Sequence, residues 1–473
     1  MITFPAKQRL AGLGLLLLPS LVTFAIYWPA LASWFQQDDY AWLGLLRDVR
    51  EGGSLWDALF APSQHGTWRP LGERAYFLLF PWVFGYEPWP MRAWAFLTFC
   101  GAMALLSSLV LRLTGSRAAA VLAPVLWAVN SKLTIVMVSN GAYIHLLCGF
   151  LLLLALWNFL RHLESGLRRH LALAWAAYLA AFGAMETSVV FPALATALCL
   201  AVAREKLRLA LWFWPASIAY FLLHMTFVPK TAGGSYGMHF DGSMPVSLGR
   251  YWLWSFEPVN IAAFTWITEP AARWGTAALS IVLAGFVLAD AWRKQFVPLL
   301  FLAWFAILLG PVLPLKEHIA DYYLTVPLCG LAALAAWAIA RAWPRRWLRV
   351  VAATMLLYYL GISIPSAHGA ARWWYQRGQA AERLVRRVFA VRAANPGKIL
   401  LLEGVTDEQF WSALAHYPFV ERGKTYVYLA TGTELRILPH PESGVKLEEF
   451  FLAPEETERL DREGLLVRMK APY

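Results

Sequence analysis

The stretch LAGLGLLLLPSLVTFAIYWPALA, residues 10–32, decides the fold class, and the stretch after it, SWFQQDDYAWLGLL at 33–46, poses the functional question. The first is an unbroken apolar run long enough to cross a bilayer as a helix, for which about 20 residues are needed. The second places two adjacent carboxylates, Asp38 and Asp39, just where that helix would leave the hydrocarbon. Lys7, Arg9 and the Ala-Leu-Ala at 30–32 have the outline of a cleavable signal. The run exceeds the usual 7–15 residues of such a signal, so it is read as a retained first span.

Ten similar runs follow, at roughly 92–112, 118–131, 141–160, 171–185, 188–203, 209–228, 274–291, 296–313, 321–341 and 347–365. The 473-residue chain is 59% hydrophobic and only 15% charged, with a mean hydropathy of +0.49. Soluble domains are about a quarter charged. The expectation is an all-α polytopic membrane protein with about eleven spans, not a β-barrel of short alternating strands.

The connections RLTGSR, RHLESGLRRH, REKLR, WRKQ and RAWPRRWLR fall on one side of this arrangement, and most of the loop acids fall on the other. Basic loops stay in the cytoplasm, which predicts a cytoplasmic N-terminus and an external C-terminus. The net charge of +11 is explained the same way and carries no argument for nucleic acid. Cys100, Cys148, Cys199 and Cys329 each lie in an apolar run, without metal-ligand or disulfide-framework spacing.

The expected organisation is a transmembrane domain over 1–365 and an external α/β domain over 366–473. In the first, an external loop over 33–91 carries interfacial helices, and a second over 229–272 is rich in Trp and Gly. In the second, QAAERLVRRVFAVRAA and TDEQFWSALAHY read as helices; KILLLEG, KTYVYLA, LRILPH and LLVRMK read as strands.

A close pair of carboxylates raises one partner's pKa and so suits proton transfer. Asp38 and Asp39 are therefore the candidate general base, and the pair also leaves room for a divalent cation. In HGTWRPLGERAYFLLF, Arg69 and Arg74 flank a helix start at Pro70. Glu186 is an acid between apolar runs, where an ionised group needs a cavity or a partner. Lys132 lies at the end of the third span. Arg250 sits in the Trp-rich loop, which also holds Lys230, His239 and Asp241. Lys316 and His318 occupy a tight connection before Asp321. No Walker A, GxGxxG or GxSxG sequence is present.

The order of a first span, an acidic pair, WRPLGERAYFLLFPWVFGYEPWPMRAWAFLT, TGSRAAAVLAPVLWAVN, FGAMETSVVFPAL and HIADYYLTVPLCG resembles the GT-C superfamily of membrane glycosyltransferases. It is most similar to the O-mannosyltransferase-like, polyprenyl-phosphate-sugar-dependent branch. Met185 and Tyr322 stand where that branch has Lys and Arg.

The resemblance implies a GT-C-like fold and an inverting transfer of a hexose or pentose from a polyprenyl-phosphate carrier. The acceptor would be a hydroxyl of a glycan, lipid or protein at the outer face of a bacterial inner membrane. It implies Asp38 or Asp39 as base, with Arg69, Arg74, Lys132, Glu186, Arg250, Lys316, His318 and Tyr323 at the donor phosphate or substrate. The resemblance requires no cofactor, and the acidic pair Asp38 and Asp39 leaves room for a divalent cation. Two other readings fit the same residues, a lipid-linked-sugar flippase and a catalytically inactive scaffold of this fold.

Overall fold

The computed structural model describes residues 6–62, 66–229, 236–258, 264–265, 267–416, 419–421, 424–431, 433, 435 and 446–472, with side chains from residue 17 onward. All eleven apolar runs are helical. Five helices among the described residues are long and apolar enough to cross a membrane: Pro88–Thr114, Tyr143–Ser165, Arg204–Phe227, Glu269–Trp292 and Arg346–Ala394. Arg117–Ala128 and Ser131–Val138, bent at 58°, make a sixth if counted as one broken span. The eleven spans expected from the sequence are not all matched by helices of spanning length among the described residues. Glu186–Val202, Val297–Val312 and Pro327–Ala342 are apolar but short, and the first helix runs Ala6–Leu31, 26 residues, with side chains described from Leu17. The chain is a multi-pass membrane protein in which short helices pack among long ones.

Local sequence explains where these helices start and stop. Ser116 caps Arg117–Ala128 by accepting the Ala119 N–H, and Pro70, Pro88 and Pro327 open helical segments whose first N–H groups have no intrahelical acceptor. Gly115 and Gly166 end the preceding helices with φ near +70°, a conformation that costs other residues a Cβ clash. Tyr143–Ser165 is the central helix, with 72% of its apolar window buried. Glu269–Trp292 is peripheral, at 28%.

Helix Arg346–Ala394 runs 49 residues through the expected boundary at 365/366 without a break, Pro365 included. Beyond it lies a small parallel sheet. Its central strand Ile399–Glu403 is flanked by Val427–Leu429 and Leu466–Lys470, in register Leu400 with Val427 and Leu400 with Val467. Helix Asp407–Ser412, held by a Thr406/Gln409 capping box, and helix Pro454–Arg462 lie on its connections. The expected strand LRILPH falls mostly outside the described residues, as does Lys230.

The sheet region is tied to the first external loop. The Gln37 N–H donates to the Ser412 carbonyl at 2.8 Å, and Arg47 Nη1 donates to the Val420 carbonyl at 2.8 Å. That loop holds helices Asp39–Arg50 and Leu55–Phe60, and the second loop holds Ser243–Phe256.

Candidate active site

The site forms at the end of the bundle opposite the basic connections, where four loop segments meet. The first meeting depends on glycine. The Leu71 and Gly72 N–H groups both donate to the Gly183 carbonyl, at 2.8 and 3.2 Å. A Cβ on Gly72 would come within 2.9 Å of the Ala184 carbonyl oxygen, and one on Gly183 within 2.8 Å of Leu71 Cγ. Only bare backbone lets RPLG lie on GAME. The turn after Arg69 is π-helical, Pro70–Ala75, a wide winding that re-aims side chains.

This contact brings Arg69 onto Glu186. Arg69 Nε donates to both carboxylate oxygens, at 3.1 and 2.9 Å, and the Trp68 N–H adds a third bond at 3.2 Å. Glu73, one turn on, lies 3.8 Å from Arg69 Nη1. Burial works against the Arg69 charge, but Glu186 and Glu73 outweigh it and hold the guanidinium firmly protonated. Burial pushes Glu73 up to about 7, against the pull of Arg69. The acid Met185 precedes is thus a partner of Arg69, which the sequence reading treated separately.

The acidic pair splits. Asp39 is fully buried. Its Oδ1 accepts the Gly141 N–H at 2.7 Å; its Oδ2 accepts Gln36 N–H and Asn140 Nδ2 and lies 3.5 Å from Arg92 Nη2. Burial pushes it up to about 6, against Arg92 and these bonds. Asp38, by contrast, has a side chain 74% exposed, and His416 Nδ1 stands 3.3 Å from its Oδ1. Burial lowers the pKa of His416, against the pull of the Asp38 carboxylate. The residue before the pair, Gln37, holds φ at +54°, an uncommon conformation for a side-chain-bearing residue. The bond to Ser412 fixes it there and sets the direction of Asp38. The divalent cation expected at Asp38 and Asp39 does not fit Asp39, whose oxygens face N–H donors and a guanidinium. Among the described residues no group of three or more His, Cys, Asp or Glu side chains gathers as for a metal.

Tyr323 lies within electrostatic reach of Arg69, and its ring centre is 5.9 Å from that of His318. His318 Nε2 is 2.7 Å from the Tyr322 hydroxyl and its ring packs on Tyr236 at 4.4 Å. Asp38 in turn acts electrostatically on Tyr322 and Glu73. Asp38, Arg69, Glu186, His318 and Tyr323 therefore form one neighbourhood, joined by Glu73 and Tyr322.

The other expected cations do not join it directly. Arg74 turns to the Ala58 carbonyl at 3.0 Å and lies over Trp42. Lys132 is buried over Trp254, 5.2 Å from its ring centre, where Asp321 and Glu257 act on it. Lys316 pairs with Asp241 at 3.7 Å on the surface, and Arg250 is exposed.

Sequence reasoning missed Arg92 and His416. Arg92 carried a usable signal, since an Arg at the start of an apolar run needs a buried partner. His416 carried none, because only the tertiary fold brings residue 416 to residue 38.

No family model and no curated protein matches the chain. It is similar to the solved structure of the archaeal oligosaccharyltransferase AglB from Archaeoglobus fulgidus in complex with an inhibitory peptide and a dolichol-phosphate. There the identity is 12% and the TM-score 0.45, over 85% of this chain and 63% of that one. The apo form of the A. fulgidus enzyme gives 13%, 0.47, 86% and 64%. ArnT from Cupriavidus metallidurans bound to undecaprenyl phosphate gives 12%, 0.49, 96% and 91%. The chain spans less than two thirds of the archaeal oligosaccharyltransferase.

Proposed function

We propose that this chain is a membrane glycosyltransferase that moves a sugar from a polyprenyl-phosphate carrier to a hydroxyl on a glycan, lipid or protein. The proposed setting is the outer face of a bacterial inner membrane, with the N-terminus in the cytoplasm and the sheet region outside. One observation carries the reading: an open carboxylate, Asp38, with the His416 imidazole 3.3 Å from it, set beside the Arg69–Glu186 clamp at one end of a helical membrane bundle. The ordered motifs supply the donor class.

In the proposed step Asp38 takes the proton of the acceptor hydroxyl, and that oxygen attacks the anomeric carbon. The bond from this carbon to the phosphate oxygen breaks, its electron pair leaves on the phosphate, and the configuration inverts. His416, 3.3 Å away, orients the Asp38 carboxylate for that proton transfer. Arg69, fixed by two carboxylates, keeps a positive charge where negative charge grows on the leaving phosphate, with His318 and Tyr323 beside it. Asp39 does not touch substrate; it ties the start of its helix to Gly141 and Arg92.

Membrane lipids and surface glycans of cells carrying the wild-type chain or Asp38→Asn test this by mass spectrometry. A positioned base contributes about 10²- to 10⁴-fold. The variant is expected to lose one sugar increment from a glycan and to accumulate the matching lipid-linked sugar. Identical profiles from equally expressed, folded proteins overturn the enzyme reading and leave the scaffold.

A further inference from the structure

A cleft of about 600 Å³ opens between helices Glu269–Trp292, Pro327–Ala342 and the first part of Arg346–Ala394. Its walls are apolar, among them Leu283, Phe286, Leu331, Ala335 and Met355. It reaches Ser255 and Tyr359 at the end nearer the candidate site. At the other end it closes on Arg293, Arg341 and Arg345 around Asp290. The two ends of Pro327–Ala342 are separated by roughly 20 Å of helix rise.

Asp290 is buried and is the only acid lining the cleft among the described residues. It pairs with Arg293 at 3.3 Å and Arg341 at 3.7 Å, and both arginines keep about half of their side-chain surface open. Two guanidinium groups thus share one carboxylate, and Arg345 lines the same cleft with no second acid in that lining among the described residues. Trp292 is 91% exposed and Trp347 67% exposed at the same level. Exposed tryptophans mark the interface between hydrocarbon and water, so the arginines stand at headgroup height. Gly285 recesses one wall: a Cβ built on it meets nothing within 4 Å.

We infer that this cleft binds an anionic glycerophospholipid, with an acyl chain in the apolar slot and its phosphate on Arg341 and Arg345. A free phosphate would leave the apolar slot unfilled, and a zwitterionic headgroup would bring a cation to an arginine-rich rim. The phosphate of a sugar donor acting at Asp38 belongs at the opposite end of the bundle. The site therefore serves a lipid of the other leaflet, and the inference stands apart from the proposed reaction.

The test is native mass spectrometry of the full chain in micelles, titrated with palmitoyl-oleoyl phosphatidylglycerol or the matching phosphatidylcholine. The wild type is expected to retain one phosphatidylglycerol in clear preference to phosphatidylcholine. Removing two interfacial arginines, in Arg341→Gln/Arg345→Gln, is expected to weaken that preference by about thirtyfold. Gly285→Leu fills the slot, leaves every arginine in place, and is expected to abolish retention of the same lipid. It decides the matter if the arginine variant does not fold. Equal retention of the two lipids by the wild type overturns the inference. So does phosphatidylglycerol retention that survives Gly285→Leu, or a co-purifying isoprenoid phosphate displaced by that substitution.

Discussion

The two ends of the helical bundle hold charge in opposite ways. At the site end, two carboxylates beside the open Asp38 are drawn inward and tied across segments distant in sequence: Asp39 to Arg92 and Gly141, Glu186 to Arg69. At the basic end, Asp290 is the lone buried acid of its cleft and its arginines reach solvent. The first arrangement fixes geometry, because each charge depends on a partner that cannot be replaced by water. The second tolerates change, because a guanidinium that loses its partner turns outward.

The sharpest way to break this comparison is to remove one carboxylate from each end. Asp39→Ala leaves Arg92 buried without its counter-charge and is expected to cost about 3–5 kcal/mol. Asp290→Asn frees two half-exposed arginines and is expected to cost about 1 kcal/mol or less. Thermal unfolding of the two variants in one detergent checks both, and equal losses would remove the distinction. Gly72→Ala comes next. Its methyl meets the Ala184 carbonyl and spreads the Arg69–Glu186 clamp, an overpacking expected to cost about 1–3 kcal/mol. Gly285→Ala, at a site with open space, is the control and is expected to leave stability nearly unchanged.

A smaller effect is the dependence on pH. Glu73 and Asp39 have folded pKa values of about 7 and about 6, above their ordinary 4.5 and 3.8. Their ionised forms are therefore disfavoured by folding. That penalty is complete above the folded values and is relieved as pH falls toward the ordinary ones. His416 works in the other direction, since its lowered pKa favours the neutral ring and stability is lost as pH drops below its ordinary 6.5. Glu73→Gln separates the two: between pH 7.5 and 5.5 the wild type is expected to gain stability relative to this variant. A parallel course for both proteins would contradict the raised value. The smallest effect is expected for Lys316→Ala, which removes a surface pair with Asp241 and should shift unfolding by less than about 1 kcal/mol.

Apolar periodicity made the helical membrane architecture legible, and the basic connections revealed which helix ends lie together. What could not be read was how adjacent residues divide. Asp38 and Asp39 are chemically equal in the chain. About 100° of helical rotation sends one into the core and the other to the surface, and the core partner, Arg92, lies on another helix. Arg69 and Glu186 were both legible as candidates, but their pairing depends on the Gly72–Gly183 contact, which no local pattern announces. The expected boundary at 365/366 followed a real change from apolar to charged composition. A helix needs no such change to end and did not end there, because the residues beyond Pro365 remain good helix formers.

That continuous helix has a mechanical consequence. Its 49 residues make a rod of about 73 Å, with Trp347 and Met355 lining the apolar cleft and Arg377, farther along, within electrostatic reach of His416. Gln36 Nε2 donates to the rod's Trp374 carbonyl at 3.3 Å and Gln379 Nε2 to the Ala32 carbonyl at 3.4 Å, so the segment before Asp38 is moored to the same helix. The rod is thus a keel: the acid and the imidazole sit on segments moored to one helix, and no joint between two bodies comes between them.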